Sequence, residues 1–277
     1  MKLYIHTDIE GVAGMVHFED RNDQSTEGYY RRLRIHRLLT AEVNAAIEGA
    51  LEAGVDEVIV NDAHGSGYNI LFEELNPVAE IIHGPLGRQP FWTPCLDETV
   101  DLVFAIAQHA MAGTNGVLAH SLWYANDLYF GEAGMCMAIA GSYGVPTVLV
   151  TGDNTTCAQV LELVPQMETV AVKQALSPYN ARSRTPQRAC EMIRRAARTA
   201  VERKDEIPPF RLQPPFRVGF PPRPGEPPAN VTEGDDLVAV VKQILCAGYD
   251  YDLQDLPVWP MEPGHRQPPV HKSLRGK

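Results

Sequence analysis

Four short stretches in the first half of the chain carry histidine or carboxylate side chains. The stretches are TDIEG at 7–11, NDAHG at 61–65, QHA at 108–110 and FGEAG at 130–134. A mixture of imidazole and carboxylate ligands suits Zn²⁺, or a similar divalent ion such as Mn²⁺ or Co²⁺. No cysteine belongs to the set, which favours an open catalytic site over a closed structural one. The candidate metal ligands are Asp8, Glu10, His64, His109 and Glu132.

Asp8 is the candidate for a ligand shared by two ions. One carboxylate can bridge two ions about 4 Å apart, and such a pair activates water and holds a substrate oxygen. We expect Asp8 to bridge because the end of a strand holds a side chain more rigidly than a loop does. His120, in AHS at 119–121, is the candidate catalytic residue. Its role as general acid or base, oxyanion stabiliser or nucleophile stays open at this stage.

Taken one at a time, these residues have simpler explanations. Asp8 and Asp62 could cap the turns that follow their strands, and His109 could be a core histidine. Their joint occurrence is what favours a metal site. Asn61 and Asp62 are then candidates for orienting a ligand imidazole. The weaker histidine candidates are His6, His17, His36, His83, His265 and His271.

Short apolar runs alternate with amphipathic helical segments along the chain. Several runs are continuously apolar, which is typical of parallel strands covered on both faces. The alternation predicts an α/β fold, a mainly parallel sheet flanked by helices. The predicted strands are Lys2–Asp8, Glu57–Asp62, Ala79–His83, Leu102–Gln108, Thr147–Thr151, Thr169–Val172 and Arg217–Phe220. The predicted helices are Tyr29–Ala53, Glu132–Tyr143, Thr155–Leu163, Pro186–Arg203 and Asp236–Ala247.

This fold class places the candidate ligands together. In open α/β sheets, ligands bind outside the carboxyl ends of the strands. Asp8, His64 and His109 each follow a different predicted strand. We therefore expect their side chains to converge at one edge of the sheet.

The composition changes after Glu206, which suggests a boundary there. The segment 207–228 is crowded with proline, so any strand within it must be short or at an edge. The end of the chain is again rich in proline and reads as a mobile surface tail. We predict an α/β metal-binding catalytic domain over 1–206 and a smaller, divergent C-terminal portion over 207–277.

Charge and composition exclude several classes of protein. The formal net charge is −11, and a nucleic-acid partner would need a basic face. No apolar stretch is long enough to span a bilayer, and the short apolar run before Asp8 argues against a signal peptide. A cytoplasmic location is the resulting expectation. Five cysteines without a CxxC pair do not form a disulfide framework, and no glycine-rich nucleotide-binding motif is present.

The same stretches resemble the D-aminopeptidase family of dinuclear zinc peptidases, which is linked to bacterial dipeptide-transport operons. The DxEG, NDxHG and GExG elements are specific in combination, although each is weak alone. The resemblance covers roughly the first two-thirds of the chain. It rests on the His109 strand end and on the stretches 1–14, 40–65, 116–121, 131–153 and 170–177.

The resemblance implies a zinc aminopeptidase that acts on short D-amino-acid peptides. It implies two Zn²⁺ ions per subunit with Asp8 as the bridge, a catalytic His120, and a ring-stacked homo-oligomer such as a decamer. The family's zinc ligands fall on Asp8, Glu10, His64, His109 and Glu132.

The chain departs from the family's pattern past Ser177, which leaves the substrate open. One alternative is a dinuclear-metal amidase that acts on another small amine-bearing amide. A second is a metal-binding module without turnover. A cysteine hydrolase is disfavoured because none of the cysteines follows a predicted strand beside glycine and a partner histidine.

Overall fold

A seven-stranded sheet forms the centre of the computed structural model, which describes residues 1–20, 22–84 and 91–245. The strands of this sheet are β1 (Lys2–Thr7), β2 (Glu57–Asp62), β3 (Ala79–Ile82), β4 (Leu102–Gln108), β7 (Thr147–Asp153), β8 (Glu168–Ser177) and β9 (Asn180–Ser183). Their order is β3-β2-β1-β4-β7-β8-β9. Every neighbouring pair is parallel except β8 and β9, which form an antiparallel hairpin.

Helices cover both faces of this sheet. The helices are α1 (Thr26–Glu52), α2 (Glu132–Ser142), α3 (Asn154–Leu163), α4 (Pro186–Glu202) and α5 (Leu237–Leu245). On one face α1 packs against α4, and on the other α2 contacts both α3 and α5. Alternate residues of one strand supply the two cores: Leu3 and Ile5 face the first, and Tyr4 faces the second.

Local sequence signals account for where these helices begin. The Ser25 hydroxyl accepts a hydrogen bond from the Gly28 amide at 3.0 Å, which caps α1. The Asp153 carboxylate caps α3 in the same way through the Thr156 amide at 2.8 Å. Pro186 opens α4, where its missing N–H has no helical partner.

A second sheet of four antiparallel strands lies beside α2 and α5. Its strands are β5 (Trp123–Ala125), β6 (Leu128–Phe130), β10 (Phe216–Gly219) and β11 (Thr232–Gly234), in the order β11-β10-β5-β6. The proline-rich segment thus contributes one short strand, as predicted, and that strand pairs with β5. Residues after Glu206 therefore share a sheet with residues 123–130.

The predicted α/β fold class is confirmed, with small shifts at the ends of elements. The sequence did not predict β5, β6, β9 or β11, each only three or four residues long. Across the described residues, no helix combines the length and the apolar character that a bilayer span requires. The proline-rich tail, with His265 and His271, lies outside the described residues.

Candidate metal centre

The carboxyl ends of three adjacent strands meet at one edge of the large sheet. Thr7, the last residue of β1, is in register with Asp62 of β2 and Ile106 of β4. Asp8 and His109 directly follow β1 and β4, and His64 lies two residues beyond β2. The parallel pairing therefore brings three of the candidate ligands to the same edge.

Two groups of potential ligand atoms form there, and His109 belongs to both. Ligand atoms of Asp8, Glu10 and His109 lie within 4.8 Å of one another. Ligand atoms of His109, His120 and Glu132 form the second group within the same limit. The His109 Nε2 atom lies 3.6 Å from both Asp8 Oδ2 and Glu132 Oε1.

His64 joins the cluster through Glu10. Its Nε2 atom lies 3.2 Å from Glu10 Oε1. Asp8, Glu10 and His109 are almost fully buried, whereas His64 and Glu132 are partly exposed and His120 is exposed. The cluster thus has a buried floor and a mouth that opens beside His120.

A strained turn at the end of β4 presents His109. Ala107 has φ of +62°, an uncommon conformation for a residue with a side chain, and the β4–β7 register shifts at this point. The Ala107 amide donates to Thr151 Oγ1, and its carbonyl accepts from the Gly11 amide, each at 2.8 Å. Gly11 leaves no room for a side chain, because a Cβ atom there would lie 2.3 Å from the Ala107 carbonyl carbon. The loop after β1 is therefore fastened directly to the His109 turn.

A buried lysine holds the loop that carries Glu10. The Lys173 ammonium donates to the carbonyl of Glu10, to that of Val12 at 3.1 Å and to that of Met15 at 2.8 Å. Burial lowers the pKa of Lys173 to about 8, so the amine is still mainly charged at neutral pH. This role could not be predicted from the sequence, since these partners are backbone atoms about 160 positions away along the chain.

Asn69 holds His64, a role that sequence reasoning missed. Its amide nitrogen donates to the His64 carbonyl at 2.6 Å, and its Oδ1 lies 3.5 Å from His64 Nδ1. Asp62 accepts from the backbone amides of Asn69 and Ile70 at 2.6 and 3.0 Å. Asp62 therefore orders the loop, and its contact with an imidazole is indirect.

Asn61 contacts a different histidine. Its side-chain nitrogen donates to the Trp92 carbonyl at 2.9 Å and lies 3.4 Å from His6 Nδ1. Burial lowers the pKa of His6 to about 4, so this ring is neutral, and it packs edge-on against Trp92. His6 and Asn61 therefore form a neutral layer behind the cluster.

His120 is fixed in one orientation although it is exposed. Its Nδ1–H donates to the Leu118 carbonyl at 2.8 Å, which leaves Nε2 as the acceptor. Its ring stacks on His109 with centroids 4.2 Å apart and planes 27° apart. Leu118 itself has φ of +55° and donates its amide to the Pro178 carbonyl at 2.9 Å.

Glu132 is the first residue of α2, where the helix dipole favours a negative charge. Ser121 donates its hydroxyl to Glu132 Oε1 at 2.5 Å and thereby links this carboxylate to the His120 loop. Ser121 is a second residue that the sequence did not single out. Its position next to His120 was the available signal.

The carboxylates strongly perturb one another and the histidines. Burial, and then the charge of Glu10, raise the pKa of Asp8 well above its usual range. Burial also acts to raise the pKa of Glu10, but the His64 imidazole outweighs it and the pKa is lowered. Burial acts to lower the pKa of His109, yet the carboxylates of Glu132 and Asp8 raise it to about 10. The cluster therefore holds excess negative charge and attracts cations.

Three buried atoms indicate that a metal ion fits here. Within the described part of the chain, Asp8 Oδ2, Glu10 Oε2 and His109 Nε2 are buried and have no hydrogen-bond partner. A buried polar atom left unpaired is costly and calls for a specific explanation. A divalent cation between two carboxylates and an imidazole would satisfy all three atoms. The donor set, three carboxylates and up to three imidazoles, is also suited to such an ion.

Comparison with known proteins agrees with this geometry. The model of peptidase family M55, described as D-aminopeptidase, matches residues 1–221. The chain belongs to the D-aminopeptidase family. A D-aminopeptidase of Bacillus subtilis (strain 168) is 35% identical over 216 residues, which cover 76% of this chain and 77% of the relative. The resemblance inferred from the sequence motifs is thus confirmed.

A solved structure from the family shares the fold. It is the Zn-dependent D-aminopeptidase DppA from Bacillus subtilis, described as a self-compartmentalizing protease. The TM-score is 0.77 and the sequence identity is 28%, over 91% of this chain and all of that chain. The likeness therefore extends past the matched 221 residues.

Proposed function

We propose that this member of the D-aminopeptidase family is a zinc-dependent aminopeptidase that hydrolyses short D-amino-acid peptides. The bond cleaved is the amide next to the free amino terminus. The observation that carries the proposal is the convergence of unpaired buried atoms of Asp8, Glu10 and His109 beside the exposed His120. The names of the two relatives support the choice of metal and of substrate.

In this proposal the cluster would hold two Zn²⁺ ions, with Asp8 as the shared ligand. When bound, such ions lower the pKa of a water molecule and polarise a carbonyl group. The buried floor keeps the carboxylates out of bulk solvent, and the Ala107 turn and the Lys173 contacts fix their positions. The proposed ligands are Asp8, Glu10, His64, His109 and Glu132.

His120 serves as the proton-transfer group. Its Nδ1–H is occupied by the Leu118 carbonyl, so Nε2 is free to take a proton from the attacking water and give it to the leaving amine. Stacking against His109 keeps the ring within reach of the reacting bond. The Ser121 hydroxyl donates to Glu132 Oε1, which keeps that carboxylate in place.

The proposal includes a homo-oligomer and a catalytic unit formed mainly by residues 1–206. The description of the Bacillus subtilis structure as a self-compartmentalizing protease supports assembly, and a decamer is the specific form proposed. Light scattering coupled to gel filtration measures it. All the proposed ligands precede residue 206, which supports the division of the chain. The cytoplasmic location stays a prediction.

The test combines metal analysis with hydrolysis assays. We expect about two zinc ions per chain by mass spectrometry of the metal content, and cleavage of D-Ala-D-Ala and D-Ala-amide but not of the L forms. Asp8→Ala should lose metal and activity, by more than about a hundredfold in kcat/KM. The matched control is Glu191→Gln, an exposed carboxylate on α4, which should change neither. Full activity of Asp8→Ala, or of the wild type after exhaustive chelation, would contradict the proposal.

The His120→Ala variant separates metal binding from catalysis. We expect this variant to keep its zinc content and to lose turnover by at least about a hundredfold. Stoichiometric zinc without cleavage of any amide by the wild type would instead indicate a metal-binding module. Cleavage of other small amine-bearing amides, in preference to the D-peptides, would indicate an amidase with the same metal chemistry.

A further inference from the structure

Two large aromatic side chains are exposed beside His120. Phe18, in the loop after β1, is 44% exposed, and Tyr179, at the tip of the β8–β9 hairpin, is 59% exposed. Exposed aromatic residues beside a cleft are typical of surfaces that bind a ligand or a partner. Neither residue takes part in the chemistry proposed above.

Both aromatic rings are joined to the candidate site by direct contacts. The Phe18 and His120 ring centroids are 5.2 Å apart, with the planes at 87°. Phe18 also contacts Tyr179, at 6.4 Å and 74°. Because His120 stacks on His109, one continuous row of rings leads from a proposed metal ligand to Tyr179.

The backbone around these two residues is anchored to the His120 loop. The Pro178 carbonyl, next to Tyr179, accepts a hydrogen bond from the Leu118 amide at 2.9 Å. Leu118 is also the residue whose carbonyl holds His120. On the other side, Gly14 donates its amide to Ser183 Oγ at 3.3 Å, which ties the Phe18 loop to β9. Tyr179 therefore lies at a fixed position relative to His120.

There is also open space next to Phe18. A cavity of about 310 Å³ is lined by Phe18 and by the apolar residues Ile9, Met15 and Ile35, together with charged residues of α1 and of the loop before it. A cavity of this size lies at the lower end of the range for small-molecule sites, about 300 to 1,000 Å³. Neither Tyr179 nor His120 lines this cavity, so it adjoins the row of rings through Phe18.

We propose that Phe18 and Tyr179 form a subsite for a large apolar or aromatic side chain of the substrate, adjacent to the scissile bond. This inference rests on the proposed function, because the row of rings matters only if the amide is cleaved at His120. The substrate class would be D-amino-acid amides and dipeptides with side chains such as those of leucine and phenylalanine. The gain comes from apolar surface removed from water, so it grows with the size of the side chain.

The test compares substrates that differ only in one side chain. The wild type and the Tyr179→Ala and Phe18→Ala variants are assayed on D-Ala, D-Leu and D-Phe amides, and on D-Ala-D-Ala, D-Ala-D-Leu and D-Ala-D-Phe. In at least one of the two series, we expect the wild type to prefer the large side chain. Each variant should lower kcat/KM for the large substrates by about tenfold, mainly through KM, and leave the alanine substrates within about twofold.

The matched control is Tyr30→Ala, which removes an equally exposed tyrosine (63%) on α1. It should behave as wild type on every substrate. Zinc content and Tm are measured for all variants, so a misfolded protein is recognised. Phe18→Leu keeps an apolar side chain and should restore part of the preference if Phe18→Ala loses it.

The outcomes separate this subsite from the proposed function. A wild type that cleaves the panel, with variants that lose activity equally on all substrates or on none, overturns the subsite and leaves the aminopeptidase in place. A wild type that favours alanine in both series also overturns it. A zinc-loaded wild type that cleaves no member of the panel overturns the proposed function, and the subsite with it.

Discussion

The two sheets of this protein are built on different principles. At the edge of the large sheet, buried polar atoms of Asp8, Glu10 and His109 have no hydrogen-bond partner, and Ala107 adopts a strained backbone conformation. The small sheet has ordinary antiparallel pairing around a hydrophobic core, with an exposed ion pair between Arg217 and Glu233 at 3.0 Å. These three unpaired atoms and the strained Ala107 thus lie together where a ligand can contact them.

The two regions are nevertheless joined at the site itself. The β5–β6 hairpin lies between Ser121 and Glu132, and β10 of the C-terminal segment pairs with β5. The small sheet therefore supports the connection between His120 and Glu132 from behind. The edge of the large sheet therefore carries the proposed metal ligands, and the small sheet supports them. Each role can be tested separately.

Among variants that separate the roles of the two sheets, we expect the largest loss of stability and zinc affinity at Lys173. Lys173→Met would leave three buried carbonyls without their donor, which we expect to lower the free energy of unfolding by about 3 kcal/mol. Because the Glu10 loop would loosen, zinc affinity should fall by about 10- to 100-fold. Denaturant unfolding and zinc titration measure the two effects. Lys242→Met, an exposed lysine on α5, is the control; equal behaviour of the two variants would contradict the positioning role.

The next effect is the pH dependence of metal binding. In the metal-free protein, neighbouring carboxylates raise the pKa of His109 to about 10, so the ring is protonated at neutral pH and must lose that proton to bind zinc. Apparent zinc affinity should therefore rise by about tenfold per pH unit between pH 6 and 8 for each proton released. Competition with a coloured chelator at three pH values measures the slope. A flat profile would contradict the release of a proton from His109 when zinc binds.

A smaller effect is expected at Asn69, which holds the His64 loop. Asn69→Ala removes the hydrogen bond to the His64 carbonyl and the amide beside its imidazole, while Asp62 still orders the backbone. We expect zinc affinity to fall by about tenfold, with little change in affinity for substrate. Zinc titration and steady-state kinetics measure it. Asn44→Ala, on α1, tests whether loss of any loop-binding asparagine has the same effect.

The smallest effect is expected in the supporting sheet. Arg217→Ala breaks an exposed ion pair, and exposed pairs contribute little to stability. We expect unchanged zinc content and unchanged kcat/KM, with a Tm close to that of the wild type. A marked loss of activity in this variant would contradict this division of roles, because it would show that the small sheet takes part in catalysis.

Much of the fold could be predicted from the chain because its signals are local. The apolar runs that form β2 and β4 and the capped helices are visible in short windows, and the strand exits then place Asp8, His64 and His109 at one edge. The strands that were missed, such as β9, are too short to show a period. Their pairing is decided by tertiary packing.

The supporting residues of the site could not be predicted for a different reason. Lys173 acts on backbone carbonyls, which carry no sequence signature, and its partner Glu10 is 163 positions away. Asp62 was expected to orient an imidazole, but its carboxylate is taken up by the amides of the following loop. Asn69, rather than Asp62, lies next to the imidazole, with its Oδ1 3.5 Å from His64 Nδ1. Side chains whose partners are backbone atoms form no motif in the sequence from which their role could be predicted.

The buried ammonium of Lys173 has a further consequence for how the protein uses its metal. Because this loop is tied by a charge that belongs to the chain, we expect it to keep its shape whether or not an ion is present. Loss of zinc would then leave a folded, receptive protein, and reloading would require no refolding. Activity would then rise and fall reversibly with the concentration of free zinc, and the protein would stay folded when zinc is scarce.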